Sequence, residues 1–171
     1  TRGYAYEVAA SYNIRNRSPE GSNFGALQGS ISTVASWGST TVLLPALYIR
    51  QLIGESIPLI YSNAMGGYLP HRYLHQQAPF VGFVGSKFME RHLTILRFEL
   101  RQRLCPDIYA SGIINYAYNS DRLTHPTEKQ DIWGLGIQLA YDTTLGPLAL
   151  CAHWSDLYHQ FGFHFSLGFE F

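Results

Sequence analysis

One run of eleven residues constrains this chain more than any other. At positions 161–171, Phe161, Phe163, Phe165, Leu167, Phe169 and Phe171 share one parity, while Gly162, His164, Ser166, Gly168 and Glu170 share the other. A strand turns successive side chains to opposite faces, so this run has one wholly apolar, mostly aromatic face and one small or polar face. A soluble protein that exposed such a long hydrophobic edge would invite aggregation. A transmembrane β-barrel requires it, because the apolar side chains meet lipid and their neighbours face a polar lumen.

The pattern recurs along the chain. Residues 4–14 set Tyr4, Tyr6, Val8, Ala10, Tyr12 and Ile14 against Ala5, Glu7, Ala9, Ser11 and Asn13. Residues 27–37 set Leu27, Gly29, Ile31, Thr33, Ala35 and Trp37 against Gln28, Ser30, Ser32, Val34 and Ser36. Residues 42–52 are apolar on both parities, which leaves their facing open. Residues 93–104 oppose Thr94, Leu96, Phe98 and Leu100 to Arg97, Glu99, Arg101 and Arg103. Residues 108–119 place Ile114, Tyr116 and Tyr118 opposite Ser111, Asn115 and Asn119. Residues 132–142 place Trp133, Leu135, Ile137, Leu139 and Tyr141 opposite Gly134, Gly136, Gln138 and Asp142. Leu148, Leu150, Ala152 and Trp154 form the apolar face of a seventh strand, and the terminal run is the eighth.

Most of these segments exceed the five or six residues usual in soluble sheets and suit a tilted membrane strand of about 9–11 residues. The links alternate too. Those at 38–40, 105–107 and 143–145 are tight, while those at 15–24, 53–91 and 120–130 are long; only the last link, near 157–159, is short out of turn. Short periplasmic turns alternating with long outer loops mark outer-membrane barrels and put the C-terminus in the periplasm. The fold class is therefore all-β, an antiparallel transmembrane meander of about eight strands within one segment, 1–171. Trp37, Tyr48, Tyr116, Tyr118, Trp133, Tyr141 and Trp154 are expected to form interfacial girdles.

Composition excludes several alternatives. The formal net charge is zero, against nucleic acid as a partner, since phosphates reward a basic surface. No apolar run is long enough for a transmembrane helix. No basic start is followed by an apolar core, so no signal peptide is read, and Thr1 in place of Met suggests processing or a fragment. Cys105 and Cys151 lack metal spacing and read as unpaired buried thiols.

The lumen of an eight-stranded barrel barely holds its own side chains. The 53–91 connection carries Pro, Gly and aromatic residues and the apolar stretch 78–84, so it is expected to fold into the lumen. Eight strands cannot enclose it, and an open sheet leaves unpaired edges in hydrocarbon at several kcal/mol per group. Missing N-terminal strands or a second copy must close the barrel.

These residues resemble a family. The run GLGIQLAYDTTLGPL (134–148), followed by a strand and FHFSLGFEF (163–171), is similar to the closing strands of the Omp85 superfamily. LRFELRQRL (96–104) resembles the strand after that family's long sixth loop. The loop, IPLIYSNAMGGY (57–68) through QAPFVGF (77–83), is most similar to barrels fused to patatin-like phospholipases of Bacteroidota. The resemblance covers about residues 40–171. It implies a sixteen-stranded outer-membrane barrel of which this chain is the C-terminal half, and an upstream patatin domain, a lipid acyl hydrolase with a Ser-Asp dyad. It implies a role in anchoring and orienting that hydrolase, with outer-membrane lipid as surroundings. Phe163, Phe165, Leu167, Phe169 and Phe171 would carry the C-terminal signal read by the barrel-assembly machinery. Many members carry Val-Arg-Gly-Phe or Val-Arg-Gly-Tyr at the loop tip, the Arg pairing with lumen acids. Here the tip is Phe80, Val81, Gly82 and Phe83, with Val81 in place of that Arg.

The chemistry in the chain itself is sparse. No Gly-x-Ser-x-Gly elbow occurs; Gly54, Ser56 and Pro58 form the nearest miss, in the long loop. No catalytic residue, cofactor or metal site is assigned. His71 and His75 have the i, i+4 spacing of half a zinc site but no third ligand at a fitting spacing. Arg97, Glu99, Arg101, Arg103 and Glu170 share the lumen and read as a charge network holding the loop, in preference to an anion-attracting pore. Two alternatives to the hydrolase anchor remain: an assembly or translocation factor of the same superfamily with POTRA-type domains upstream, or a stand-alone small barrel.

Overall fold

The computed structural model describes residues 2–13, 23–54, 57–67, 76–124 and 126–168. Eleven strands follow in chain order: β1 (Arg2–Asn13), β2 (Phe24–Trp37), β3 (Thr41–Ile53), β4 (Asn63–Gly66), β5 (Gln77–Ala78), β6 (Ser86–Met89), β7 (His92–Cys105), β8 (Ile108–Ser120), β9 (Lys129–Thr143), β10 (Gly146–Ser155) and β11 (Gln160–Leu167). Eight form one antiparallel sheet in the order β1-β2-β3-β7-β8-β9-β10-β11, so each long strand pairs with its neighbours in sequence. The meander is not closed, and β1 and β11 stand at its two edges.

Register gives each strand an outer and an inner parity. Leu43, Leu100, Gly112, Ile137, Ala152 and Phe163 are Cα partners in one lateral row across six strands. The exposed Leu96, Phe98, Leu100, Leu135, Ile137, Leu139, Phe161, Phe163, Phe165 and Leu167 share this outer face. Arg97, Asn115, Gly134 and Ser155 form an inner row. The strand that was ambiguous by parity is fixed by its partners: Leu44 opposes Glu99 and Ala46 opposes Arg97, which turns Leu43, Pro45, Leu47 and Ile49 outward. The β2–β3 ladder pairs Ser32 with Ala46 and resumes at Ala35 with Leu43, skipping Pro45. Proline has no N–H for a ladder, so the interruption is expected there.

Of the aromatic residues expected at the interfaces, Trp37, Tyr116, Trp133 and Tyr141 lie towards strand ends, and Tyr48 requires a correction. Trp37 and Tyr141 flank the tight turns, and Tyr116 and Trp133 pack together at the other end with ring centroids 4.9 Å apart. Trp133 and Tyr141 are eight residues apart on β9, about 26 Å along the strand at ~3.3 Å per residue. A strand tilt near 40° reduces that to about 20 Å of height, close to the ~25 Å apolar band of such barrels. Tyr48 does not belong to a girdle. It is the partner of Ile95 and packs against the buried cluster on the inner face. Parity in an all-apolar strand gave no means of knowing that. Cys105 also departs from expectation: it is exposed at the β7–β8 turn, whereas Cys151 is buried on the inner face.

Candidate functional site

The long connection between β3 and β7 builds the one densely packed region of the described residues. It contains a 3-10 turn (Leu59–Tyr61) and a small sheet in which β4 pairs with β5 in parallel and with β6 in antiparallel fashion. Polar side chains tie it to the wall. Arg50 on β3 donates from Nη1 to Tyr61 O at 3.2 Å and to Asn63 Oδ1 at 2.7 Å. Asn63 Nδ2 donates to Glu90 O at 2.7 Å, and the Glu90 N–H donates to Asn119 Oδ1 on β8 at 2.8 Å. Between these ties lies an apolar core: Met65, Phe80, Phe83 and Met89 from the connection, and Leu93, Ile95, Ala117 and Ile132 from the wall. Burying a side chain such as Phe80 in this way contributes about 1.5–3 kcal/mol.

The tip at Phe80–Phe83 is placed by two glycines and an asparagine. A Cβ on Gly134 would lie 2.1 Å from Val81 O and 2.6 Å from the Phe80 ring, and one on Gly136 would lie 2.5 Å from Val81 Cγ1. Only hydrogen fits at these inward positions, so β9 accepts the tip backbone against its own. Asn115 Nδ2 donates to Val81 O at 2.8 Å, which satisfies that carbonyl within the contact. The Val81 side chain packs on Ile113 and Cys151. Gly82 closes on β10, where a Cβ would approach Ser155 Cβ to 2.8 Å. Phe83 meets Tyr158 of the β10–β11 hairpin edge-on, centroids 5.4 Å apart, and Lys87 Nζ lies 5.7 Å from the same Tyr158 ring. Four strands, β7 to β10, thus share one inserted tip. Beneath it, Arg97 Nη1, Asn115 Oδ1, Ser155 Oγ and both His153 ring nitrogens are buried with no hydrogen-bond partner among the described residues.

The charged residues on the inner face of β7 fall into two groups. Glu99 lies between two arginines, with Oε2 3.2 Å from Arg97 Nη2 and Oε1 2.8 Å from Arg101 Nη2. The Arg97 and Glu99 side chains are buried, while Arg101 is 46% exposed. Two cations to one anion leave this triad with a net positive charge. Arg103 stands apart: Nε and Nη2 donate to Pro106 O at 3.0 and 2.6 Å, and its guanidinium lies 5.9 Å from the Tyr109 ring, so it braces the β7–β8 turn. Ile113, on which Val81 sits, is the lateral partner of Glu99. The apolar tip therefore comes within one strand of the carboxylate without bringing a charge to it, and the wall supplies the arginines itself. Phe163, Phe165 and Leu167 are exposed on the outer face of β11. Phe169, Glu170, Phe171, His71 and His75 lie outside the described residues.

The chain matches the OMP85 superfamily model over residues 2–171. It belongs to the OMP85 superfamily. No protein in a search of the curated proteins matches it. Membership makes the meander part of an outer-membrane β-barrel of Gram-negative bacteria, and the exposed aromatic and aliphatic rows of the outer face are the surface such a barrel presents to lipid. In this OMP85 wall the residues that receive the tip are Ile95, Ile113, Asn115, Gly134 and Gly136. Sequence reasoning assigned none of them to the site. Gly134 and Gly136 at one parity of β9 were the available signal, because neighbouring inward glycines allow another backbone to approach.

Proposed function

We propose that this chain is the membrane-embedded C-terminal half of a sixteen-stranded barrel that anchors and orients an upstream patatin-like lipid acyl hydrolase. The observation that carries the reading is the inserted tip. A wall whose inner face is covered by its own loop, from β7 to β10, serves as a scaffold and not as a conduit. The segments that form this cover, 57–67 and 76–83, are the ones that resemble the patatin-fused barrels. The apolar Val81 fits the same reading, since the loop here is held by burial and by Asn115. The open edges at β1 and β11 would be paired by strands supplied upstream, which removes unsatisfied backbone groups from hydrocarbon. Tight turns and C-terminus would face the periplasm, and the terminal strand would address the barrel-assembly machinery.

The test is the intact mass of the native polypeptide extracted from outer membranes, sequenced across Thr1, together with a phospholipid hydrolysis assay on the extracted protein. A chain well above 19.3 kDa with an upstream Gly-x-Ser-x-Gly segment and lipase activity is the expected result. Upstream βααββ repeats without activity would replace the hydrolase by an assembly or translocation factor. A native mass of 19.3 kDa would remove both and leave closure to a second copy.

A further inference from the structure

The β10–β11 hairpin is the short connection at the end of the sheet where the others are long, and it folds inward over the tip. Its turn is closed by the His159 N–H, which donates to Ser155 O at 3.0 Å, with His159 itself at φ 51°. Its root is pinned to β9. The Trp133 N–H donates to Asp156 Oδ1 at 2.8 Å, and the Asp156 N–H donates to Trp133 O at 3.1 Å. From that root Leu157 packs on the cluster that contains Phe80. Tyr158 meets Phe83 edge-on and carries Lys87 Nζ over its ring, so the hairpin apex touches both the tip and β6.

The tip beneath is held against an opposing term. Phe80 and Val81 gain from burial, but they bury polar atoms with them. Arg97 Nη1, Asn115 Oδ1, Ser155 Oγ and both ring nitrogens of His153 have no hydrogen-bond partner among the described residues. A buried polar atom without a partner carries a desolvation penalty that water removes. Withdrawing the tip would hydrate these atoms, so apolar burial is partly offset by the wall it covers. Two residues past Phe83, Gly85 has φ 87° and nothing within 4 Å of a Cβ, which gives the backbone a pivot.

We propose that the β10–β11 hairpin is a latch on the inserted tip, and that the tip leaves the wall when Tyr158 releases Phe83. Latched, the tip covers the inner wall from β7 to β10. Released, it opens the polar side of that wall to water, so the pair acts as a gate within the lumen. The proposal rests on contacts inside this chain and does not depend on which domain lies upstream.

Cys151 reports release, because it is fully buried with Val81 packed on it, whereas Cys105 is exposed with the tip in place. The native full-length protein in detergent micelles is treated with N-ethylmaleimide at fixed pH, and modification of the two cysteine peptides is followed by mass spectrometry. Tyr158→Ala is expected to speed labelling of Cys151 about tenfold, from loss of an aromatic edge contact and a cation–π contact together. The Cys105 rate and the heat-modified electrophoretic mobility should not change. Tyr158→Phe keeps the ring and should label as the wild type does. His159→Gly suits the turn and leaves the Tyr158–Phe83 contact in place, so it should not speed labelling. If Tyr158→Ala does not fold, Lys87→Gln removes the cation over the ring and should speed labelling about threefold. Equal Cys151 rates in the wild type and in the latch variant that folds overturn the proposal. Equal acceleration by His159→Gly also overturns it, since fraying of the hairpin would then be the route. Acceleration by Tyr158→Phe would remove the ring contact as the cause and overturn it too.

Discussion

The inner faces of β8 and β1 follow the same rule of small and polar side chains, yet they meet different fates. On β8, Ser111, Ile113, Asn115, Ala117 and Asn119 are all buried. On β1, Ala5 and Glu7 are exposed, and Glu7 is held by Gln28 Nε2 at 3.1 Å on the surface. The difference is the connection, whose described residues pack over β7–β10. In an open wall, burial of the inner face is thus a property of the loop and not of the strand. Phe80→Ala should break this contrast most severely, at about 3–5 kcal/mol, the usual cost of truncating a fully buried Phe. Glu7→Ala, on the uncovered side, should stay within about 0.5 kcal/mol. Urea unfolding in detergent micelles, followed by loss of the folded band, measures both. Similar costs at the two sites would mean that the tip does not stabilise the wall.

The contrast between outer and inner faces is next in size. Ile137 is 73% exposed on the outer face, and Gln138, the next residue, points inward. Ile137→Lys should destabilise the membrane-inserted barrel by about 2–4 kcal/mol, as a lysine near the bilayer midplane does. Gln138→Lys, facing a polar interior, should cost far less. Phe165→Lys against Ser166→Lys repeats the comparison on β11. Parity alone distinguishes each pair, so equal effects within a pair would sink the facing assignment.

That facing was legible in the sequence because period 2 is a local property, readable wherever one parity is apolar. The eight long strands and their order followed from it, since a meander needs no knowledge of distant contacts. The site was less legible. Leu93, Ile95, Ile113 and Ile132 are apolar residues on the polar parity, and each reads as an exception until the loop is seen to lie on it. The tip was recognisable as a motif, but its receiving surface of Asn115, Gly134 and Gly136 is assembled from β8 and β9, more than thirty residues away along the chain. Arg103 shares parity with Arg97 and Arg101, but sits next to a turn whose carbonyls it prefers, a choice set by position along the strand.

Glycines sharpen the same comparison. Gly134→Ala places a methyl group against Val81 O, a backbone atom that moves only with the tip, and should cost about 1–3 kcal/mol as overpacking does. Gly29→Ala meets only ordinary contact and should be neutral or mildly stabilising, because alanine loses less backbone entropy than glycine. A double variant, Gly134→Ala with Phe80→Ala, should be less than additive if the tip is what the methyl group displaces.

The smallest effect expected is at the β8–β9 connection, held in a way opposite to that of the tip. Asp121 Oδ1 accepts from the Thr127 and Glu128 N–H groups at 3.0 and 3.1 Å, and none of the described residues of 121–128 belongs to a buried apolar cluster. The Glu128 N–H foremost, then that of Thr127 and the nearby Arg122, hold the carboxyl below its ordinary value of 3.8. A group whose folded pKa is depressed contributes stability that is complete above the unfolded value and is lost as pH falls through the folded one. Amide exchange at Thr127 and Glu128 should therefore stay constant from neutral pH down to about that ordinary value, once corrected for intrinsic rates, and accelerate below it. Asp121→Asn should abolish the acid transition, since an amide oxygen can still accept but does not titrate, and the tip around Phe80 should show no such transition. An acid transition surviving in Asp121→Asn would move the cause to another group and leave the two connections alike in how they are held.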